Sequence, residues 1–518
     1  MTPASLRRIG AAAVLLLAAA ACTGSRDEPS SDAAAPSSAA PGPSRPAAED
    51  GPATSAPASP PAAAEPPLAE WTDCDRGFEC ATISVPLDYA DANRGTIELA
   101  LVRLPARQAS RRIGSLLVNP GGPGASGVEF VRDNSAVFSG LLRDRFDLVG
   151  FDPRGVGRSA AVDCVDTELY EDEPGFAPAD EPAVTARTLE LTAQYVAGCQ
   201  ARSGRVLPFV GTMNAARDLD RIRAAVGDER LTYLGFSYGT ALGAAYAAMH
   251  PERVRALALD GADALGKTDA EVAEAQFRAF EAAFDAFAAD CAQRRTCPLR
   301  AEGADAAFAA VDARLRRGRP LPVSDQPGRK VVREELYLAT IAAMYSEETW
   351  SSLATGLAEA QQGDGRILQR LADLYLQRRD DGTYPNLFEA NTAIGCADNA
   401  ERMSTEEALR RGRAFGAQLE HFGPVADTML LGCVGWPAAR EPLEARPYRG
   451  PAPLLVVGGT GDPATPYQWA VDMTELLQPA TLVTRNGEGH ISYVASRCAA
   501  QKIDSYLVDL IVPTAVTC

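Results

Sequence analysis

The sequence predicts an α/β fold: a mostly parallel sheet with helices on both faces and a large inserted helical lid. Three observations predict it. Short apolar, β-rich runs alternate with helix-forming stretches, the rhythm of a parallel sheet with crossover helices. Each run ends in a glycine-rich or polar loop, as in GSLLVNPGGPGASG, FDLVGFDPRGVGRS, LTYLGFS, VRALALDGAD, APLLVVGGTGDPATP and ATLVTRNGEGH. Between Ala264 and about Tyr448 the rhythm gives way to helical stretches such as DAEVAEAQFRAFEAAFDAFAADC and TEEALRRGRAFGAQLE. Such a block belongs above the C-terminal ends of the strands, where these sheets place their sites.

At the amino terminus, MTPASLRRIGAAAVLLLAAAAC carries Arg7 and Arg8, an apolar run to Ala21, and then Cys22. That pattern is a secretory signal over residues 1–21. Ala19, Ala20 and Ala21 before Cys22 resemble a bacterial lipobox, with Ala19 where Leu is more usual, and lipidation at Cys22 is expected; the alternative is a simple cleaved signal, an incidental cysteine and a secreted protein. Residues 22–67 would be the anchor and a linker. Thr23 to Pro67 is almost all Ala, Pro, Ser, Gly, Asp and Glu, a composition that buries no core. The sheet domain is assigned to 68–264 and 449–518, and the lid to 265–448. CATISVPLDY and TIELALVRLPA would open the sheet as an antiparallel pair. No later segment is long and apolar enough to span a bilayer, so the membrane would be met through the lipid alone, at the cell envelope.

Cysteine usage supports export. Setting Cys22 apart, the 11 cysteines leave an even set: Cys74, Cys80, Cys164, Cys199, Cys291, Cys297, Cys396, Cys433, Cys498 and Cys518. In an exported chain that is a disulfide framework. Spacing does not fix its connectivity; pairing of nearest neighbours is the expectation. Three histidines and scattered cysteines offer no metal-ligand cluster, and no metal or cofactor is expected. The net charge of −18 argues against a nucleic-acid partner. A monomer is expected.

The stretch LTYLGFSYGT carries the chemistry. Leu231 to Gly235 reads as a buried strand, and Tyr238 to Met249 as a helix. Ser237 sits at the turn between them with Gly235 and Gly239 on either side. That G-x-S-x-G arrangement lifts a serine hydroxyl above a sheet and aims a helix N-terminus at it. A serine needs a base, and the base needs a partner to fix its tautomer. His250 ends the helix that starts at Ser237, about 18 Å away along its axis, and cannot serve. His421 falls in the helical block; both are read as structural. His490, in NGEGHISY, follows the last predicted strand, and a loop there can reach over the sheet. Asp462 follows the strand Leu454 to Val457 in GGTGDPATP and is the expected orienting acid. Asp472, further along, is the alternative. The order Ser237, Asp462, His490 is that of the α/β-hydrolases. A tetrahedral intermediate needs hydrogen-bond donors, assigned to the Tyr238 N–H and the Gly122 N–H of NPGGPG. Thr465 is a candidate support for Asp462.

NPGGPG, DPRGVGRS, GFSYGT, GTGDPATP and GEGH together resemble the secreted actinobacterial tripeptidyl aminopeptidase family. These are α/β-hydrolase serine peptidases related to proline iminopeptidases. The resemblance covers about residues 70 to 518, including the C-terminal segment with its cysteines, and is weakest through the lid. Proline iminopeptidases usually carry His where Asn119 stands; Asn is ordinary in the family resembled. The resemblance implies release of short peptides, such as tripeptides, from a free N-terminus. It also implies that some members are lipoproteins of the cell envelope and that some are esterases.

A free N-terminus is a cation, so an exopeptidase must hold it with carboxylates or carbonyls at a set distance from the serine. Candidates are Glu129 after the NPGGPG loop, Asp263 after LALDGA, and Asp398 in AIGCADNAE, beside Cys396. A carboxylesterase acting on small acyl esters or lipids is the second reading; it predicts indifference to a free amine. A silent binding protein on the same fold is the third, disfavoured because all three members of the triad are present.

Overall fold

The structure, a computed structural model, describes residues 66–166, 169, 178 and 181–518. The signal, Cys22 and nearly all of the linker lie outside the described residues.

The early strands are β1 (Thr72–Asp73), β2 (Glu79–Pro86), β3 (Thr96–Leu104), β4 (Gly114–Asn119) and β5 (Phe146–Phe151). Next come β6 (Leu231–Phe236) and β7 (Val254–Asp260), then a small hairpin, β8 (Leu321–Pro322) and β9 (Lys330–Val331). The last three are β10 (Leu454–Gly461), β11 (Ala480–Glu488) and β12 (Val516–Thr517). All but the hairpin form one sheet in the order β1-β2-β3-β5-β4-β6-β7-β10-β11-β12. β1, β2 and β3 pair antiparallel, as does β3 with β5. From β5 to β12 every pairing is parallel.

The apolar runs explain the layering. β4, β5 and β6 are buried along their whole length, as strands covered on both faces must be. Alternate residues feed opposite layers. Leu117, Tyr233, Leu257 and Val456 pack under the helices Thr212–Ala225, Tyr238–Met249 and Tyr467–Leu476. Leu116, Leu234, Ala258 and Val457 pack on the other side against Gly127–Asn134 and Arg497–Asp509. Each fully buried Leu, Val or Phe contributes about 1.5–3 kcal/mol.

Between β7 and β10 stand eight α-helices, from Asp269–Gln293 to Gly423–Met429. They have an apolar core of their own. Its spine is the row Phe277, Phe280, Phe284 and Phe287, whose spacing of three, four and three residues puts the rings on one helix face. Thr268 starts that helix with a capping box closed by Glu271. A further helix, Pro182–Ser203, lies between β5 and β6, and its Val196 packs with Ile394 and Trp436 of the helical insert. The stretch falls within residues 68–264, which the sequence assigns to the sheet domain, and no helix is expected there.

The five disulfides are Cys74–Cys80, Cys164–Cys199, Cys291–Cys297, Cys396–Cys433 and Cys498–Cys518, the nearest-neighbour set. No helix among the described residues is long and apolar enough to cross a membrane.

Candidate active site

β4 and β6 run side by side, with Asn119 opposite Gly235, so the loops leaving their C-terminal ends emerge together. Ser237 is the first residue beyond β6. Its φ of 55° and ψ of −129° lie where a side chain is strained, at a cost of order 1–3 kcal/mol. The flanking glycines make the turn possible. A Cβ on Gly235 would lie 2.5 Å from the Gly239 carbonyl oxygen, and one on Gly239 2.8 Å from that of Asn119. Ser237 N–H donates to the Asp260 carbonyl (2.9 Å), while its own carbonyl accepts from Thr240 N–H (2.8 Å) and Thr240 Oγ1 (2.6 Å).

The NPGGPG loop lies on this turn. A Cβ on Gly121 would come within 2.8 Å of Ser237 Cβ and 2.5 Å of the Phe236 carbonyl oxygen. Buried Asn119 accepts the Gly121 N–H through Oδ1 (2.9 Å). The Gly122 and Tyr238 N–H groups, in contrast, donate to no acceptor among the described residues. Below the loop, the Asp152 carboxylate gathers Ser126 Oγ (2.6 Å), Val128 N–H (3.2 Å) and Arg158 N–H (2.9 Å). Arg154 of DPRGVGRS is fully buried in a bidentate pair with Asp218, at 2.6 Å for each bond, and belongs to the scaffold.

On the opposite side of β7, His490 Nδ1 lies 2.8 and 2.9 Å from the two Asp462 oxygens. Both residues are buried. Asp462 also accepts from Ala464 N–H (3.0 Å), Thr465 N–H (2.9 Å) and Thr465 Oγ1 (3.0 Å). Thr465 thus meets Asp462 through both its N–H and its hydroxyl. Asp472 is 3.2 Å from Lys267 Nζ, and Asp462 is the acid on His490. Ser237 and His490 both stand beside the end of β7. Ser237 is bonded to Asp260, and a Cβ on the next residue, Gly261, would lie 3.1 Å from His490 Cε1.

The sequence as a whole agrees with this geometry. The α/β hydrolase fold family model matches residues 114–495. Serine protease Hip1 of Mycobacterium tuberculosis is 36% identical over 467 residues, covering 85% of this chain and 88% of that protein. Tripeptidyl aminopeptidase of Streptomyces lividans is 32% identical, covering 85% and 84%. Carboxylesterase B of Mycobacterium tuberculosis is 36% identical, covering 87% and 90%.

The chain belongs to the α/β-hydrolase family. Within it, it groups with the tripeptidyl aminopeptidase and Hip1 relatives, and it is a serine hydrolase.

Of the hydrolase's three acidic candidates, two are near one another. Asp398 accepts Thr212 N–H (2.7 Å) and the Thr212 hydroxyl, which also meets the Tyr238 hydroxyl. Burial, with the Asp263 charge adding to it, pushes the Asp398 carboxyl up to about 7 against the Thr212 hydrogen bonds. Asp263 follows β7, and its N–H donates to Thr240 Oγ1 (2.8 Å). Burial pushes its carboxyl to about 6, against the neighbouring Ala264 N–H and the attraction of His490. Neither carboxylate has an Arg or Lys partner among the described residues. Glu129 does: it sits 3.3 Å from Arg379 of the insert.

His250 packs on Tyr246 at 5.2 Å between ring centroids, and burial lowers its pKa. His421 is buried in the insert, with Nδ1 2.6 Å from Glu281 and Nε2 3.1 Å from Asp305. Burial opposes its charged form, but the Glu281 hydrogen bond and charge, with Asp305 behind, raise its pKa.

One residue of the site escaped the sequence. The Asp260 carboxylate accepts Ser492 N–H (3.0 Å) and Tyr493 N–H (2.7 Å), while its carbonyl holds Ser237. It ties the chain after His490 to the turn at Ser237, and burial pushes its pKa to about 6 against those two bonds. Its sequence signal is an aspartate ending the apolar run Ala256–Leu259.

Proposed function

We propose that this hydrolase is an exported aminopeptidase that releases short peptides, tripeptides foremost, from free N-termini. Ser237 Oγ attacks the scissile carbonyl. His490 takes its proton through Nε2, since Nδ1 faces Asp462, and then gives it to the departing amine. Asp462 fixes the tautomer and stabilises the imidazolium. The Gly122 and Tyr238 N–H groups hold the oxyanion. Water then attacks the acyl-enzyme, with His490 as base again. Asp263 and Asp398 hold the substrate ammonium beneath the helical insert, which acts as the lid. Lipidation at Cys22 tethers the enzyme to the envelope.

The observation that carries the peptidase reading is the pair Asp263 and Asp398. Two carboxyls pushed upward by burial, without a basic partner, lie around the residue that follows the nucleophile. An unpaired buried carboxylate is costly unless a cation completes it. A substrate ammonium does so. The Streptomyces relative's name adds the number of residues released. Carboxylesterase B, at the same identity as Hip1, supports a second reading as an esterase.

The test uses protein beginning near Pro67. Hydrolysis of a tripeptide p-nitroanilide is compared with that of its N-acetylated twin. A strong preference for the free amine is expected. Equal rates on both would remove the amine site. Cleavage of neither, with p-nitrophenyl butyrate turned over, would make the protein an esterase.

A further inference from the structure

We infer that Tyr345, carried by the helical insert, is a positioning residue for His490. The inference rests on the reading of His490 as the base. Three contacts support it. His490 N–H donates to the Tyr345 carbonyl (2.9 Å). The Tyr345 ring stands perpendicular to the imidazole, at 88° with 5.4 Å between centroids. Gly489, at φ 93°, lets the two chains meet: a Cβ there would lie 2.9 Å from the Tyr345 carbonyl oxygen and 3.3 Å from Ser346 Cα. The second glycine of GEGH thus serves the insert's approach as well as the turn.

These contacts supply what Asp462 does not. A hydrogen bond to Nδ1 fixes one edge of the imidazole but resists tilting about that edge only weakly. A perpendicular ring in van der Waals contact removes the remaining freedom. Tyr345 is itself firmly held. It ends the helix Arg333–Met344 and packs on Phe280 (5.9 Å) and Tyr375 (6.1 Å). Tyr375 in turn packs on Phe388 (5.7 Å), in the first turn of the helix Leu387–Asp398. That helix seats the other half of the site: Asn391 Nδ2 donates to the Pro123 carbonyl (3.1 Å). One train of rings in the insert therefore runs from the base to the loop that carries Gly122.

His490 must accept the Ser237 proton and return it to the leaving amine. A tilted imidazole slows both transfers and leaves ground-state binding alone. On a tripeptide p-nitroanilide, Tyr345→Ala should lower kcat about tenfold to a hundredfold, with KM within about twofold. Fluorophosphonate labelling of Ser237 should slow in step. Tyr345→Phe, which keeps the ring and the carbonyl, should retain the parent kcat. Gly489→Ala keeps Tyr345 but forces its carbonyl away, and should repeat the kcat loss if Tyr345→Ala does not fold. An unchanged kcat in both Tyr345→Ala and Gly489→Ala would overturn the inference. So would a loss confined to KM, which would make the ring a substrate wall, or a loss in Tyr345→Phe equal to that in Tyr345→Ala. His490→Ala separates the two readings. If it stays fully active, His490 is not the base; if it is dead while Tyr345→Ala is normal, only the role of Tyr345 falls.

Discussion

The turn at Ser237 and the helical insert reach the same site by opposite means. The turn is made by backbone meeting backbone: Gly235 against the Gly239 carbonyl, Gly239 against that of Asn119, Gly121 against Phe236. The insert is filled mainly by side chains, with a phenylalanine spine inside and rings at its edge, and backbone meets backbone there at fewer points, as Gly412 does with Asp427 and Gly489 with Tyr345. Backbone approach tolerates one residue type, so the turn is rigid and brittle. Ring packing tolerates substitution of similar volume, so the insert adapts. The proposed nucleophile is thus entrusted to the brittle part, and the steadying of its base to the adaptable one.

That division can be broken most severely at Ser237. Ser237→Ala should lower kcat on the tripeptide substrate by about ten-thousandfold or more, with the fold intact by circular dichroism. Full activity in that variant would end the proposed mechanism. Gly239→Ala leaves every reacting side chain in place but drives a methyl into Asn119. A kcat loss of about a hundredfold is expected from displaced oxyanion donors, and an unchanged kcat would show that the turn yields after all.

A smaller, more selective effect belongs to Asp263. Asp263→Asn should raise KM for the free-amine substrate about tenfold and leave the acetylated one unmoved. The carboxylate must be charged to hold an ammonium. With Asp263 raised to about 6 and Asp398 to about 7, KM should worsen as pH falls through 7 and then 6. It should worsen again above about pH 8, as the substrate amine loses its proton. A flat KM from pH 5 to 8 would remove both residues from the amine site.

The smallest effect should be on stability alone. The pKa of His421 is raised above its ordinary 6.5 by Glu281 and Asp305, despite burial. A raised histidine stabilises the fold below the unfolded pKa and loses that contribution as pH rises through the folded value. Melting temperature should therefore fall from about pH 6.5 upward, by a few degrees, and His421→Gln should flatten the slope without altering kcat. A kcat change in that variant would mean that the insert's interior reaches the chemistry.

The same contrast explains what the sequence disclosed. Ser237, Asp462 and His490 were legible because each ends a strand and enters a loop whose glycines and prolines have few other uses. Thr465 followed from its place beside Asp462. The Gly235 and Gly239 pair announces its turn in five residues. Asp260 and Tyr345 were hidden because their partners lie far along the chain, at Ser492 and His490, and neither stands in a motif. Helix Pro182–Ser203 was missed because it has few buried positions: Thr185, Val196, Cys199 and Ser203 are its buried residues. In sequence Glu129 is equal to Asp263 and Asp398; Arg379, distant along the chain, is what sets it apart.

The disulfides have a consequence for how the chain matures. Every bridge joins a cysteine to the next one along the chain, across 6, 35, 6, 37 and 20 residues. With Cys22 capped by its lipid, a polypeptide emerging amino-terminus first into an oxidising compartment would offer each of the other thiols its correct partner before a wrong one arrives. Such an order needs no reshuffling of mispaired intermediates. It also leaves the insert without a disulfide to the sheet among the described residues, since Cys291–Cys297 and Cys396–Cys433 both close within it. Oxidation therefore closes each part on itself, and the contact between the two is left to hydrogen bonds and packing.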